Sequence, residues 1–337
     1  MIRKAINKIK LTDLVPVFIL IFITVFFTML TNGSLLSSYN LENIVNQSIA
    51  TIIAGLGMIF AVSMGGTDVS TGVVVVISAI FSVRAANAIG AAATFPAAIL
   101  VGTVTGLFVG VLNAKFKIKS FMITLAMNVS LRALANLLLG ASTLQMGKYM
   151  RNLVNGWQFK IAALIFLIAL ITYLFNYTPF GLYVKSIGEN EEAVKYAGVN
   201  VTKMKILAFM ISGIMAGIAG VFTVARVGGV NNTLGSSFEM RVMMALFIGG
   251  IPVNGGMGSK ISKLIMGAPM IMLLESGLVL CGVSGSVTQG VRGLVLLGAV
   301  MLTRVLDKHF TSMNTGKAEK GINQKKNLYS FGLKAKT

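Results

Sequence analysis

The chain has 337 residues, of which 55% are hydrophobic and only 12% are charged, whereas roughly 25% are charged in a typical soluble domain. Burying this much apolar surface needs a larger core than a soluble chain of this length can enclose, so composition excludes an ordinary soluble protein. The formal net charge of +19 would indicate nucleic-acid binding in a soluble protein, but here the basic residues lie between apolar runs. We interpret them as determinants of membrane topology and as contacts to lipid headgroups.

The single cysteine, Cys281, and the single histidine, His309, limit the chemistry that the chain can perform. One cysteine excludes a disulfide within the chain, and the two residues together leave no familiar zinc or histidine-based catalytic site. We therefore expect no resident metal or cofactor, and no nucleic-acid partner.

Apolar runs of about 20 residues, long enough to cross a bilayer as helices, recur along the chain. Continuous runs favour helices over the alternating ten-residue strands of a β-barrel. We predict an all-α integral membrane protein, a polytopic helical bundle of about ten spans (eight to ten), of which the eighth is short and interrupted by glycine. The predicted spans cover residues 14–31, 44–64, 70–88, 93–112, 121–140, 159–177, 205–225, 239–252, 264–282 and 286–306.

Basic residues are distributed unevenly across this ten-span topology. If residue 1 is cytoplasmic, the inside segments carry 21 Lys and Arg and the outside segments five. This bias predicts that both termini are cytoplasmic. Around the transmembrane domain at 14–307 we expect a basic cytoplasmic N-terminus at 1–13 and a Lys-rich tail at 308–337, which is predicted to be disordered.

The segment GGTDVSTG, from Gly65 to Gly72, interrupts two apolar runs with glycines, an acid and hydroxyl residues. Broken membrane helices of this kind line cavities in transporters, which makes Asp68 a candidate polar group of a transport pathway. Alternatively, Asp68 caps the following helix with help from Ser70 and Thr71. The candidate pathway residues in this segment are Gly65, Gly66, Asp68, Ser70 and Gly72.

The longest hydrophilic loop between spans, 178–205, is predicted to be cytoplasmic. Asn190 stands where a helix N-cap is expected, Glu191 and Glu192 follow in the first turn, and Gly198 provides a stop. This pattern predicts a two-turn helix at roughly 191–197. A helix so short is marginal alone, so we expect it to be held by packing, as in the groove of a partner protein, although a solvated loop is the alternative. The predicted helix presents Ala193, Val194 and Ala197 on one face.

The segment IGGIPVNGGMGSK, residues 248–260, contains five glycines and interrupts the eighth span. Glycines at this density permit close backbone approach or left-handed turns, so either an unwound element or tight helix packing is expected. Farther along, Glu275 and Arg292 lie at similar depth in the last two spans. They are expected either to pair with each other or to face a wet cavity.

These segments together resemble the permease subunits of bacterial ABC importers of the ribose/simple-sugar type, which are related to the branched-chain amino acid permeases. GGTDVSTG is similar to that family's GG-[ILT]-D-[LV]-S-x-G segment, and FGLYVKSIGENEEAVKYAGVNVTKMK to its cytoplasmic signature FG-x-x-x-x-x-IG-x-NE-x-A-x-x-x-G-[IV]. GGIPVNGGMGS resembles the later GG-x-x-x-x-GG-x-GS segment, with Met257 where many members carry a polar residue. The similarity covers about residues 40–307.

The resemblance implies a multi-pass subunit of the bacterial cytoplasmic membrane, working as a homodimer or heterodimer with cytoplasmic ABC ATPases and an extracytoplasmic solute-binding protein. It also implies two inverted pseudo-repeats, whose corresponding breaks would be GGTDVSTG and GGIPVNGGMGS. The loop helix would be the element that couples to the ATPase. Its predicted coupling residues are Gly188, Asn190, Glu191, Glu192, Ala193, Ala197 and Gly198.

The sequence contains no Walker-type phosphate loop, because Gly147-Lys148 lacks both the upstream spacing and a following Ser or Thr. We therefore predict a non-enzymatic permease for a sugar or similar polar solute, with ATP bound by partner subunits and transport by alternating access. The alternative is an ion-gradient-driven secondary transporter that uses Asp68, Glu275 and Arg292 as its coupling charges.

Overall fold

A computed structural model describes residues 11–140, 142–298 and 300–301. The α-helices of this part are α1 Leu11–Leu30, α2 Ser38–Ser63, α3 Thr71–Ile89, α4 Thr94–Lys115, α5 Ser120–Leu139, α6 Lys148–Asn155, α7 Trp157–Asn176, α8 Pro179–Glu189, α9 Glu191–Tyr196, α10 Val201–Val227, α11 Phe238–Ile248 and α12 Ile261–Leu280. Residues 285–298, 300 and 301 are also helical and are called the last helical segment. Two short strands, β1 Leu144–Gln145 and β2 Gly229–Val230, pair antiparallel, and 3-10 turns lie at Ser34–Leu36 and Ala91–Ala93.

The all-α polytopic membrane fold is confirmed, with seven helices in the described residues long and apolar enough to span a bilayer. These are α2, α3, α4 with its preceding 3-10 turn, α5, α7, α10 and α12. At the eighth predicted span, α11 has only 11 residues and is roughly 16 Å long, which agrees with the short span expected there. In α1 the apolar part is Pro16–Leu30, which is shorter than the seven helices counted as spans.

The centre of the bundle is formed by α10, which packs against α2, α3 and α4. On α4, a glycine every fourth residue (Gly102, Gly106 and Gly110) faces the backbone of α10. A Cβ at Gly102 would collide with the carbonyl oxygen of Gly213, so both helices approach closely because neither has a side chain there. Small residues at helix contacts are the usual way in which membrane helices gain packing energy in lipid.

Two non-helical breaks lie inside the bundle, at residues 64–70 and 228–237. The first joins α2 to α3, and the second joins α10 to the short α11. The same order of a long helix, a break and a second helix therefore occurs twice. In the predicted topology the two copies run in opposite directions across the membrane. The expected correspondence of GGTDVSTG with GGIPVNGGMGS is wrong, because the glycine-rich segment at 249–260 follows α11 instead of preceding it.

The hydrophilic loop at 178–205 is more ordered than predicted. The helix predicted at roughly 191–197 is confirmed as α9, but α8 precedes it and was not predicted. Thr178 caps α8 by accepting a hydrogen bond from the Gly181 N–H, and Pro179 occupies its first turn, where a missing N–H costs nothing. The predicted apolar face of α9 also needs correction, because Val194 is buried against the protein whereas Ala193 and Ala197 are exposed.

The predicted N-terminal segment 1–13 and tail 308–337 lie almost wholly outside the described residues. Within the described part, the end of the bundle that carries Ser63, Glu189 and Gly256 is called the inner end, since the charge distribution predicts that it is cytoplasmic. The opposite end, where α10 terminates at Val227, is called the outer end.

Candidate transport site

The three segments that the sequence singled out meet at the inner end of the bundle. The Gly256 N–H donates a 2.8 Å hydrogen bond to the Ser63 carbonyl oxygen, which belongs to the last residue of α2. The Met257 N–H donates a 2.8 Å hydrogen bond to Oε1 of Glu189, the last residue of α8. The end of α2, the glycine-rich loop and the cytoplasmic signature therefore form one junction, called the inner junction.

Glycine is required at the inner junction because the backbones lie in contact. A Cβ at Gly188 would collide with the Ser63 carbonyl oxygen, and one at Gly255 would collide with the same atom. Gly255 and Gly256 also have φ values of +77° and +91°, which residues with a side chain rarely adopt. The glycine-rich segment is thus an unwound loop that is packed tightly against α2 and α8.

Asp68 lies in the first break and is 4% exposed. Its Oδ1 accepts hydrogen bonds from the Ser70 N–H (3.1 Å) and the Ser70 hydroxyl (2.6 Å), and its Oδ2 accepts one from the Ser212 hydroxyl of α10 (2.6 Å). The carboxylate thus closes a turn just before α3. The capping hypothesis needs correction, because the N-cap of α3 is Ser70 and no side chain caps this helix. Asp68 also ties that turn to α10, which the sequence did not indicate.

One face of α5 supplies hydrogen-bonding side chains to both breaks. Ser120 accepts from the Thr67 N–H (3.1 Å), and Asn128 donates to the Val69 carbonyl oxygen (2.7 Å). One turn farther on, the Arg132 guanidinium donates to the carbonyl oxygens of Leu234 and Gly235 in the second break. Non-helical backbone within a membrane must find partners inside the protein, and these side chains, one or two turns apart on the same helix face, provide them.

The first turns of α3 and α11 meet in the interior of the bundle. Glu239, in the first turn of α11, is buried, and its Oε2 occupies the space that a Cβ at Gly72 would need. Gly235 in turn packs against the Gly72 carbonyl oxygen. Helix N-termini carry a partial positive charge, which stabilises a carboxylate placed between them. Sequence reasoning missed Glu239, although an acid at the start of a short apolar helix is a recognisable signal.

Glu275 of α12 forms ion pairs with two arginines. Its Oε1 lies 2.8 Å from Nε of Arg292, so the predicted pairing is confirmed by distance, although that N–H is not directed for a good hydrogen bond. Its Oε2 lies 3.1 Å from Nη2 of Arg241, which the topology prediction had counted as an outer loop charge. Because Glu275 and Asp68 both hold partners, their geometry does not favour the ion-driven alternative.

A polar cavity of about 220 Å³, called the outer cavity, opens near the outer end, between α2, α10 and the second break. It contains the guanidinium-bearing side chains Arg226 and Arg241 and the polar side chains of Gln47, Thr223, Asn231, Thr233 and Ser236. None of the pathway residues predicted from the sequence lines it. Sequence reasoning missed this cavity because its lining comes from separate elements that only the fold brings together.

A second polar cavity, of about 560 Å³, lies at the inner end between α9 and the turn that joins α4 to α5. Asn190 caps α9 by accepting a 3.0 Å hydrogen bond from the Ala193 N–H, as its position predicted. Glu191 is held by Lys205 at 2.8 Å, and Gly198 ends the turn with φ +82°. The charged residues that line the cavity are Lys117, Lys119, Glu191, Glu192, Lys195 and Lys205.

Comparison with known proteins gives a consistent family match. The family model described as the permease component of branched-chain amino acid transport systems matches residues 40–300. The ribose import permease protein RbsC of Escherichia coli (strain K12) is 31% identical over 278 residues, which cover 78% of this chain and 85% of RbsC. The fructose import permease protein FrcC of Rhizobium meliloti is 29% identical over 314 residues (87% and 86%), and the galactose/methyl galactoside import permease protein MglC of E. coli (strain K12) is 28% identical over 292 residues (79% and 87%). No solved structure matches significantly.

Proposed function

The chain belongs to the family of branched-chain amino acid transport permease components, and from this premise we propose that it carries a sugar or similar small polar solute, driven by ATPase subunits that dock on α9. It is a multi-pass protein of the cytoplasmic membrane and forms the translocation pathway of an ABC importer. The sugar assignment is supported by relatives named for ribose, fructose and galactose import.

Permeases of this importer class work with an ATPase and a solute-binding protein. In the proposal, ATP is bound entirely by the partner ATPase, since this sequence has no phosphate-binding loop of the Walker type. A second permease copy, identical or related, completes the pathway, and lipid headgroups contact the basic cytoplasmic segments.

The observation that carries the docking proposal is the mechanical connection between α9 and the first break. Asn190, the cap of α9, directly follows Glu189, whose carboxylate binds the Met257 N–H. The adjacent Gly256 N–H binds Ser63, at the end of α2 where the first break begins. A displacement of α9 by a docked partner is therefore transmitted through a few short contacts to the broken helix.

The exposed surface of α9 suits docking. Ala193 and Ala197 are exposed, and Tyr196 has 87% of its surface exposed, although these side chains lie on an ordered, capped helix. A salt bridge from Glu191 to Lys205 and the packing of Val194 against the protein keep the helix in place without a partner. Exposed aromatic residues such as Tyr196 are typical of protein-binding surfaces.

In the transport cycle that we propose, ATP binding draws two ATPases together, and each moves the α9 helix that it contacts. The inner junction passes this movement to the break at 64–70 and to α10 through Asp68, so that the pathway alternates between outward and inward access. Gly65, Gly66, Asp68, Ser70 and Gly72 form the hinge in this proposal, while Glu275 and Arg292 hold the last helices together.

The test is purification of the tagged protein from its native membrane in mild detergent, followed by mass spectrometry of co-purifying proteins. We expect an ABC ATPase in near-equal amount, and its loss in Ala193→Arg and Ala197→Arg, which place bulk and charge on the docking surface. Deletion of 189–198 is less informative, because it also removes the Glu189 contact to Met257.

The matched control is Ala92→Arg, an exposed alanine in the 3-10 turn at the other end of α3. The control should retain the ATPase. Recovery of equal ATPase with all three variants would refute docking on α9, and recovery of the wild-type chain without any ATPase would refute ATP-driven transport.

A further inference from the structure

Five basic residues run against the charge bias of this protein, because they lie on the side that the topology predicts to be outside. They are Lys148, Arg151, Lys160, Arg226 and Arg241. Basic residues are disfavoured on that side, so their retention calls for a local explanation. Two of them, Arg226 and Arg241, line the outer cavity, and Lys160 lies close enough to Arg226 to interact electrostatically.

Arg226 differs from the two other basic residues near this cavity. Arg241 forms an ion pair with Glu275, and Lys160 donates a 2.6 Å hydrogen bond to Oδ1 of Asn46. Arg226 forms no hydrogen bond or ion pair with any of the described residues, although it is half-buried in the last turn of α10. A half-buried guanidinium without a protein partner has lost part of its hydration and retains its full hydrogen-bonding capacity.

The charges around the outer cavity do not cancel. Arg241, Arg292 and Glu275 together carry one excess positive charge. Glu239 and Arg132 interact with each other electrostatically and balance, and Arg226 adds a second excess positive charge at the cavity wall. A concave site with this excess, surrounded by apolar protein, concentrates anions from solution.

The size and the other polar groups of the cavity restrict what can fill it. Its volume of about 220 Å³ is that of roughly seven liquid water molecules, which suits a solute no larger than a monosaccharide. Gln47, Thr223 and Ser236 add uncharged hydrogen-bonding groups to its wall. Hydroxyl and amide side chains beside an arginine are suited to a polyol that also carries an acidic group.

We infer that the outer cavity is an entry site for an anionic solute of monosaccharide size, whose carboxylate or phosphate binds Arg226. The inference rests on the proposed importer function and narrows its substrate class from sugars in general to acidic sugars and their analogues. The remaining polar groups bind hydroxyls of the same solute. Arg241, held by Glu275, stabilises the anion by its charge and is not free to turn toward it.

A lipid headgroup has the same anionic chemistry as such a solute, so the experiment must separate the two. The full chain is placed in nanodiscs of phosphatidylcholine alone, and its thermal unfolding is followed by calorimetry. Sodium glucuronate is the anionic probe, glucose is the neutral probe, and sodium chloride at matched ionic strength is the salt control. A parallel sample uses nanodiscs that contain phosphatidylglycerol without added sugar.

We expect glucuronate to raise the Tm saturably above the chloride control and above glucose at equal concentration. Arg226→Gln should lower the apparent affinity for glucuronate about tenfold or more, and Arg226→Lys should retain part of it. Arg151→Gln removes the same charge from the outer end at a residue that does not line the cavity, so it should leave the shift unchanged.

Equal glucuronate shifts in the wild type and Arg226→Gln, or equal shifts for glucuronate and glucose, would overturn the inference. So would an Arg226-dependent stabilisation by phosphatidylglycerol without any glucuronate shift, which would assign the cavity to lipid. Co-purification of the ATPase, measured for the wild type and for Arg226→Gln, separates the two proposals. If only the anion assignment fails, the ATPase is recovered with both proteins. If the importer function fails, the ATPase is missing already from the wild type.

Discussion

Asp68 and Ser212 are 144 positions apart in the sequence and share a 2.6 Å hydrogen bond in the buried centre of the bundle. The bond links the break that precedes α3 to the middle of α10, the helix around which the others pack. Since Asp68 also binds the N–H and hydroxyl of Ser70, one carboxylate determines both the local turn and its position against α10.

Asp68→Asn tests this arrangement with little change in size. The amide presents an N–H₂ group at one of the two acceptor positions, so a serine hydroxyl must turn to accept from it, and charge-assisted hydrogen bonds are replaced by weaker neutral ones. We expect the free energy of unfolding to fall by about 1–3 kcal/mol and uptake to be impaired, while assembly with partners persists. Thermal unfolding, solute uptake in membrane vesicles and co-purification measure the three effects.

The double-mutant cycle of Asp68→Asn with Ser212→Ala separates the interhelical bond from the local turn. We expect a coupling energy of about 0.5–3 kcal/mol, because both substitutions alter the same contact between residues 68 and 212. Additive effects of the two substitutions would show that the bond to α10 does not matter. Normal uptake in Asp68→Asn would reduce the role of this residue to that of a replaceable turn residue.

Gly188→Ala tests the inner junction. The added Cβ would collide with the Ser63 carbonyl oxygen, so the end of α8 must move away from α2. We expect a loss of about 1–3 kcal/mol in stability together with lower uptake per assembled complex. Gly147→Ala is the control, since nothing lies within 4 Å of a Cβ there, and it should behave as the wild type. Equal stability and uptake for the two variants would contradict tight contact at the junction.

Asn128→Leu tests whether α5 stabilises the first break. The substitution removes the 2.7 Å hydrogen bond to the Val69 carbonyl oxygen and leaves that acceptor unsatisfied in an apolar environment. We expect the Tm to fall by an amount equivalent to about 1–3 kcal/mol. Asn136→Leu, at an exposed position of the same helix, is matched in chemistry and should change the Tm little. If both variants lower the Tm by a similar amount, the loss comes from replacing any asparagine of α5 and not from the bond to Val69.

Glu275→Gln tests the ion pairs of the last helices. It leaves Arg241 and Arg292 beside each other without a counter-charge, and removing one partner of a buried charge group typically costs about 3–5 kcal/mol. Replacing all three residues together, as Arg241→Met, Glu275→Leu and Arg292→Met, should restore much of the stability. If the triple variant is as unstable as Glu275→Gln, packing and not charge explains the loss.

The sequence by itself determined the membrane class, because no soluble core could bury so much apolar surface. It also determined local features whose signals lie within a few residues, such as the Asn190 cap of α9 and the glycine-rich loops. The Glu275–Arg292 pair was one of two open interpretations, since helical depth alone allowed either pairing or a wet cavity. The sequence did not reveal α8, because an amphipathic cytoplasmic helix and a polar loop have a similar pattern of charged residues.

Only the tertiary structure decided which distant groups meet. The Asp68–Ser212 bond, the contact of Gly188 with Ser63 and the grouping of Arg226 with Gln47 and Asn231 join elements that are far apart along the chain. Hydropathy reports how deep a helix lies and not how it is rotated or which neighbour it contacts. That information comes from the packing of many side chains at once, which is why the cavity and the inner junction appear only in the folded molecule.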